Sequence, residues 1–519
     1  MSAVTAPLPA TDPDDLARLS HSPRNGLLLL ENEGRLGAIG TGRIDVDFLA
    51  RHGWQVTGAL PALFPQQLGD PSFRVDFGLD HAYLAGEMAN GISSSRMVVA
   101  MARAGMLCCY GAGGVSPDRV VRAVADISAA LPGRRNWGVN LIHSPGEPAV
   151  ERAAAELLVR TDVPVVSASA YLDLTPAVVL CAAAGTTTDA TGVVARPRRL
   201  IAKVSRPEVA RLFLRPAPAA ILRGLVEEGA LSRAEADLAA RVPLADAVTV
   251  EADSGGHTDN RPLTAILPAV LELRDELAPS VHVGAAGGLG TPTAVAAAFA
   301  MGAAYVVTGS VNQLTVESGL SEAAKALLFR ADVADTVMTP AADMFEMGVR
   351  LQVLRTGTMF ASRAQRLYDL YCDHDSLESI PTDVLARLER DVFRLPVDEV
   401  WRQTRAFWAQ RDPDQLDRAV ADPRHRMALV FRWYLGRSSG WAVIGDPDRV
   451  ADYQIWCGPA LGAFNRWVKG SFLAEPGSCT VTQIGCNLME GATVTTRAHQ
   501  LRVTGRRVAP VRFVPRPLA

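Results

Sequence analysis

The sequence predicts an α/β fold, a (β/α)8 TIM barrel with an N-terminal cap and a C-terminal helical subdomain. Three observations predict it. Between about residues 82 and 310, short β-branched runs alternate with Ala/Leu-rich segments at helical spacing, the pattern of parallel strands joined by crossover helices. The strands in that stretch number eight, which closes a barrel. Small or polar residues recur at many strand ends, whereas a doubly wound open sheet places one glycine fingerprint after its first strand.

Taken in order, residues 1–25 are rich in Pro, Asp and Ala without periodicity, which predicts a frayed start. From Arg43 to Phe77, apolar pieces broken by Gly and Pro predict a small cap, so that 1–80 forms an N-terminal extension and cap. The barrel, 81–315, begins with strand Ala82 to Ala89 and helix Ser94 to Ala104. Strand Met106 to Tyr110 follows, ending in Gly111-Ala112-Gly113-Gly114 before helix Pro117 to Leu131. Trp137 to Ile142 is followed by helix Pro148 to Arg160, and Val163 to Ser167 by a helix around Pro176 to Ala183. Leu200 to Val204 is the fifth strand, with Ala219 to Arg241 as an enlarged helical connection. Ala247 to Ala252 is the sixth, leading through Gly255-Gly256-His257 into helix Leu263 to Leu277. The last two strands are Val281 to Ala285 and Tyr305 to Thr308, joined by a small-residue helix that Thr291 and Pro292 open. Beyond Ser310 the pattern reads as helix without strands: Ser321 to Phe329, Pro340 to Met359, Arg363 to Tyr371, Pro381 to Phe393 and Val397 to Arg411. These define a helical subdomain at 316–440. A C-terminal segment, 441–519, includes Asp448 to Phe472, which reads as one helix packed on the barrel.

Composition excludes some functions. With 52 basic against 55 acidic residues and no basic run interleaved with aromatics, there is no nucleic-acid footprint. No cationic start precedes an apolar core, and the longest apolar stretch, Ala294 to Val307, is short and Ala/Gly-rich, so no signal peptide or membrane span is expected. Seven cysteines without zinc-type pairs suit a reducing, cytoplasmic compartment, with Cys108-Cys109 and the Cys479/Cys486 pair as packed thiols.

Catalytic groups of barrels project from the C-terminal ends of strands. Two successive strands here end in glycine, at Gly287-Gly288 and at Gly309-Ser310. Residues without side chains let N–H groups converge on an anion, so a phosphate fits this pair of loops. Gly288 is expected to leave no room for a side chain. Other strand ends carry Met88-Ala89-Asn90-Gly91, the Gly111 to Gly114 loop, Asn140, Ser167, and Lys203 with Ser205. Small residues and amides suit a flat heteroaromatic cofactor whose edge Asn140 or Asn90 could read. Glu251-Ala-Asp-Ser-Gly-Gly-His257 is the densest group. His257 is suited to moving a proton near neutral pH, and Gly255-Gly256 would let a ligand approach the backbone. A metal site is the rival, although no HxH, HExxH or Cys/His pairing occurs; the plain alternative is a loop histidine bonded to Asp253 or Asp259. Lys203, pointing into a barrel mouth, must meet an anion or work with a shifted pKa, unless it is simply solvated.

The runs MANGI (88–92), GVNLIHSP (138–145), KVSRPEVA (203–210), EADSGGHTDNRP (251–262), the AAGGLGTP to VVTGSVNQ stretch (285–313) and PAADMFEMGVRLQVLRTGTMF (340–360) closely resemble PfaD-type trans-acting enoyl reductases. More distantly, GGH and the paired phosphate loops resemble nitronate monooxygenases and FMN-dependent enoyl-acyl-carrier-protein reductases. The resemblance runs from about Leu60 to about Ala492. It departs at Cys108-Cys109-Tyr110, where relatives more often carry Gly and Phe.

The resemblance implies FMN in the barrel mouth. Its phosphate would lie at Gly287, Gly288, Gly309 and Ser310, and its ring near Met88, Ala89, Asn90 and Asn140, with Lys203 and His257 close by. The implied function is reduction of an enoyl thioester on an acyl carrier protein, in trans with a polyketide or polyunsaturated fatty acid synthase, with NADPH or NADH as reductant. His257 would be the proton donor and Lys203 a cation beside flavin or oxyanion. Nitronate oxidation and a catalytically silent FMN-bound scaffold are the competing expectations, and a homodimer is left open. The region from Ser318 to about Gly440 is expected to frame a carrier-docking surface, with Arg363 and Arg366 as exposed basic residues.

Overall fold

The computed structural model describes residues 8–42 and 44–518. Residues 1–7 of the expected frayed start, and Arg43 at the expected start of the cap, lie outside the described residues. From residue 8 the chain is ordered, contrary to expectation. Pro13–Ser20 is a helix because Asp12 caps the Asp14 N–H and Pro13 sits in the first turn. Its buried Leu16 joins Leu27, Leu29 and Leu501, a cluster that periodicity within eight residues does not reveal. The N-terminal sheet starts before Arg43. Strands β1 (Leu27–Asn32), β2 (Arg35–Gly40) and β3 (Gln55–Leu60) pair antiparallel in the order β2-β1-β3. Glu33 and Gly34, both at positive φ, turn the β1–β2 hairpin.

The barrel closes with eight parallel strands: β4 (Tyr83–Ala85), β5 (Leu107–Tyr110), β6 (Gly138–Ile142), β7 (Val165–Ser169), and, after the β8 (Thr187–Thr188)/β9 (Val194–Ala195) hairpin, β10 (Arg199–Val204) and β11 (Ala247–Glu251). A two-residue strand β12 (Gly256–His257) precedes β13 (His282–Ala286) and β14 (Val306–Thr308). The order around the barrel is β10-β11-β13-β14-β4-β5-β6-β7. Alternate residues point inward, so Leu84, Leu107, Cys109, Val165, Ile201, Ala247, Ala286 and Val307 fill the apolar interior, with Tyr305 among them. Phe73, on the helix Pro71–Phe77, stacks on Tyr305 at 4.1 Å and packs into the same cluster.

The fifth connection is helical as expected, and two expectations fail on the C-terminal half. Ala219 to Arg241 is two helices, Ala219–Glu227 and Arg233–Ala239, because Gly229 turns at φ 75° and Ser232 with Glu235 forms a new capping box. Pro340 to Met359 is not a helix. Strands β15 (Thr336–Pro340) and β16 (Arg350–Leu354) form an antiparallel pair, and β12 adds to β16 with Gly256 opposite Gln352 and His257 opposite Leu351. Ala, Met and Glu make this stretch look helical, but a partner strand from the barrel loop outweighs local propensity. Asp448 to Phe472 is likewise not one helix. A 3-10 turn (Pro447–Asp452) leads into an extended piece whose Trp456 bridges Val353, and only then comes the helix Ala460–Val468. Pro459 has no N–H and disfavours helix at Gly458, which stops propagation there. The long helices Pro423–Ile444 and Val481–Val503 complete the fold. Among the described residues no helix is long and apolar enough to cross a membrane.

Candidate functional site

The inward alternation that fills the lower barrel with apolar side chains continues upward with polar ones. Two residues above Val165 comes Ser167; two above Ile201 comes Lys203; above Ala247 come Thr249 and then Glu251. The Lys203 ammonium lies 3.0 Å from Glu251 Oε1 and 3.3 Å from Glu87 Oε1, and Ser167 Oγ donates to Glu87 Oε1 at 3.0 Å. Glu87 follows β4, which stands opposite β10 in the strand order, so this ion pair crosses the barrel interior. The lysine is 12% exposed and Glu87 8%. Burial disfavours the ammonium, but two carboxylates outweigh it and raise its pKa above the ordinary 10.5. Lys203 is therefore held as a cation between two carboxylates rather than solvated. Asn140, on β6, donates from Nδ2 to the Ser167 carbonyl and to Ser169 Oγ at 2.6 Å. Cys109 lies in the barrel interior and Cys108 in the core outside it, both as free thiols.

Met88, Ala89 and Asn90 form a tight turn against the Gly111 to Gly114 loop. Asn90 sits at φ 59°, its N–H bonds Gly113, and a Cβ at Gly111 would lie 1.7 Å from the Met88 carbonyl oxygen. Close backbone packing is why that loop lacks side chains. Asn90 Nδ2 also donates to Ser439 Oγ, tying the turn to the helix Pro423–Ile444.

The glycine loops after β13 and β14 differ from expectation in one detail. Gly287 and Gly288 have φ of 84° and 72°, yet a Cβ on Gly288 would meet nothing within 4 Å. Gly309 is equally open, at an ordinary φ of −117°. Room exists above Gly288; only its backbone conformation disfavours a side chain. The N–H groups of Gly288, Gly309 and Ser310 find no acceptor among the described residues. Open space beside unpaired amides is what an anion cradle requires, so these residues fit a phosphate. Ser310 Oγ accepts the Gly458 N–H at 3.0 Å, leaving its proton to donate. The segment from Trp456 to Ala460 closes one side of this region. Gln313 Nε2 donates to the Trp456 carbonyl, a Cβ on Gly255 would lie 2.6 Å from Cys457 Cα, and one on Gly290 would lie 2.0 Å from the Ala460 oxygen.

His257 is bonded to neither acid that the sequence suggested. Asp259 is claimed by Arg206, through two bonds of 2.8 Å, and by Ser205, which bring its pKa down to about 2. Asp253 accepts from Asn260 at 3.1 Å and from Gln352 at 2.7 Å. The partner is Asp343, whose Oδ1 lies 3.2 Å from His257 Nε2. Burial opposes the imidazolium, but the bond and charge of Asp343, with the charge of Glu251, outweigh it and raise the His257 pKa above 6.5. Glu251 thus lies electrically between Lys203 and His257. Among the described residues no group of three or more His, Cys, Asp or Glu side chains is placed to hold a metal ion.

Comparison with known proteins adds family context. Residues 77–365 match the family model described as nitronate monooxygenase, and residues 374–453 match the inserted helical domain of acyl-carrier-protein S-malonyltransferase. The crystal structure of the enoyl reductase domain of MlnA, from the macrolactin biosynthesis cluster of Bacillus amyloliquefaciens, is 36% identical with a TM-score of 0.80, covering 84% of this chain and 99% of that one. A polyunsaturated fatty acid synthase component of Thraustochytrium sp. is 46% identical over 449 residues, covering 84% of this chain and 30% of the relative. Polyketide biosynthesis protein PksE of Bacillus subtilis is 42% identical over 435 residues, 83% of this chain and 56% of the relative. The chain therefore spans about a third to a half of the length of these curated relatives.

Proposed function

Because this chain belongs to the nitronate monooxygenase family, and within it is similar throughout its barrel to a solved enoyl reductase domain, we propose that it is an FMN-dependent enoyl reductase. It reduces the α,β-double bond of an acyl thioester on an acyl carrier protein, in trans with a polyketide or polyunsaturated fatty acid synthase, using NADPH or NADH. The observation that supports this most is that the open Gly288/Gly309 cradle and the His257 imidazole both follow C-terminal ends of strands, at one mouth of the barrel. One named relative is a subunit of a polyunsaturated fatty acid synthase and another a polyketide biosynthesis protein, which supports a synthase partner.

Bound FMN would supply hydride-transfer chemistry between the nicotinamide and Cβ of the substrate. Gly287, Gly288, Gly309 and Ser310 would hold its phosphate, and Met88, Ala89, Asn90, Asn140, Gly255 and Gly256 would surround its ring. Lys203 supplies a permanent positive charge that glutamates on two sides hold in place. His257, as the imidazolium, gives its proton to Cα as Cβ is reduced, and water reprotonates it. Its raised pKa favours the charged, donating form near neutrality.

The test is anaerobic. Purified yellow protein reduced by NADPH should reoxidise on addition of a crotonyl thioester, with the flavin absorbance returning in stopped flow; a reduced flavin that persists through many substrate equivalents would remove the proposal. The family model's own description favours a second reading, nitronate oxidation with His257 as base. That reading requires nitronate-dependent oxygen uptake.

A further inference from the structure

We propose that Asp343 is the positioning residue for His257: it binds Nε2 and so presents the ring with Nδ1 as the nitrogen left for the substrate. This rests on the proposed function for its chemistry but not for its geometry. Asp343 lies 86 residues from His257 in sequence, in the loop between β15 and β16, and its carboxylate reaches Nε2 at 3.2 Å. Nδ1 has no partner among the described residues. The approach is built in. β12, which contains His257, pairs with β16, and Gln352 of β16 donates to both Asp253 Oδ1 and the Ser254 carbonyl at 2.7 Å, locking the loop that carries the imidazole.

The charged groups around the ring divide by role. Asp253 and Asp259 are held by Asn260, Gln352, Arg206 and Ser205, so neither competes for the imidazole. Glu251 acts on it by charge while paired to Lys203. Arg432, from the helix Pro423–Ile444, faces the loop from the other side, pairing with Glu346 at 3.2 Å and acting by charge on Asp343. Among the described residues Asp343 alone hydrogen-bonds the ring. A carboxylate on one imidazole nitrogen fixes the tautomer when the ring is neutral and favours the ring when charged. In the proton-transfer step the Nδ1–H bond breaks, a Cα–H bond forms, and the other proton stays on Nε2, donated to the Asp343 carboxylate. The segment around Asp343 thereby belongs to the proton-donating machinery as well as to the fold.

The test uses Asp343→Asn, which keeps size and removes charge, and Asp343→Glu, which restores it. In cofactor-free protein with labelled histidine, the His257 ring resonance, assigned by its loss in His257→Gln, should titrate at lower pH in Asp343→Asn and return toward the parent in Asp343→Glu. In FMN-loaded protein, Asp343→Asn should keep its flavin and be reduced normally. Its reoxidation by enoyl thioester should stay within about threefold of the parent at about pH 6 but fall at least about tenfold by about pH 8.5, because a less basic imidazole loses its proton earlier. An unmoved His257 titration in Asp343→Asn overturns the proposal. A moved titration with an unchanged reoxidation profile upholds Asp343 as the partner and instead removes His257 as the acid.

Discussion

At Gly309, charge and strain can be separated in a way Gly288 does not permit. Gly309 has an ordinary φ and open space at its Cβ, so Gly309→Ala should fold normally, whereas Gly309→Asp should fold but lose most of its FMN, because a carboxylate would stand where phosphate is expected. Flavin content per purified chain checks this, and full occupancy in Gly309→Asp would move the phosphate elsewhere. Lys203 makes a different prediction, about stability. Removing it leaves Glu87 and Glu251 facing each other in a barrel only about a tenth to a fifth exposed. Lys203→Met should therefore destabilise the cofactor-free protein by about 3 kcal/mol or more in denaturant unfolding, and adding Glu87→Gln should recover part of the loss. The His257–Asp343 contact also carries a pH signature. Since the folded pKa of His257 is raised, its stabilisation is fully present below about 6.5 and is lost as pH rises through the raised value. Of these residues Lys203, His257, Gly288 and Gly309 could be singled out in the sequence because each lies at, or within a short loop after, the end of a strand that periodicity locates. Glu87 was not, being a single charge in a turn whose neighbours Met88 to Asn90 drew the reading. Asp343 was hidden because its partner is remote in sequence and its segment has helical composition.

The β15–β16 pair is the element whose misreading matters most. Its Gln352 is 4% exposed and spends its amide on the loop that carries His257, while its Oε1 accepts from Thr336 at 3.2 Å. Gln352→Leu leaves the Ser254 carbonyl and Thr336 hydroxyl without those partners, so it should cost about 1–3 kcal/mol and loosen β12. Faster amide exchange at Gly256 and His257 than at β11 would report that loosening, and unchanged protection would show that backbone pairing alone holds the strand. The barrel strands, by contrast, were legible to within a few residues, β4 overrunning most because it stops at Ala85 rather than Ala89, where the chain turns against the Gly111 to Gly114 loop. Both faces of each are buried, which gives short apolar runs, and Pro117, Pro148, Pro176, Pro207 and Pro292 each mark the first turn of a crossover helix. Pairing of β12 with β16 joins segments nearly a hundred residues apart, and no local pattern encodes that.

Across the molecule, the expectation that Arg363 is a free docking cation fails. Its guanidinium pairs with Asp452, whose side chain is 0% exposed and which also receives Arg449 and the Tyr434 hydroxyl at 2.8 Å. Arg363→Glu should unsettle the whole helical lobe, by about 3 kcal/mol or more, since it sets two carboxylates together away from water. Arg366 is exposed. Arg366→Glu should raise KM for a carrier-bound enoyl substrate while sparing a small thioester mimic, and equal effects on both would place docking on another surface. One consequence reaches beyond equilibrium. The Gly458 amide that meets Ser310 arrives 148 residues later in the chain, so a ribosome has released the complete barrel well before Trp456 to Ala460 can close over the glycine loops. Closure of this side of the glycine loops is therefore a late event of synthesis, since all eight barrel strands precede the segment that covers them.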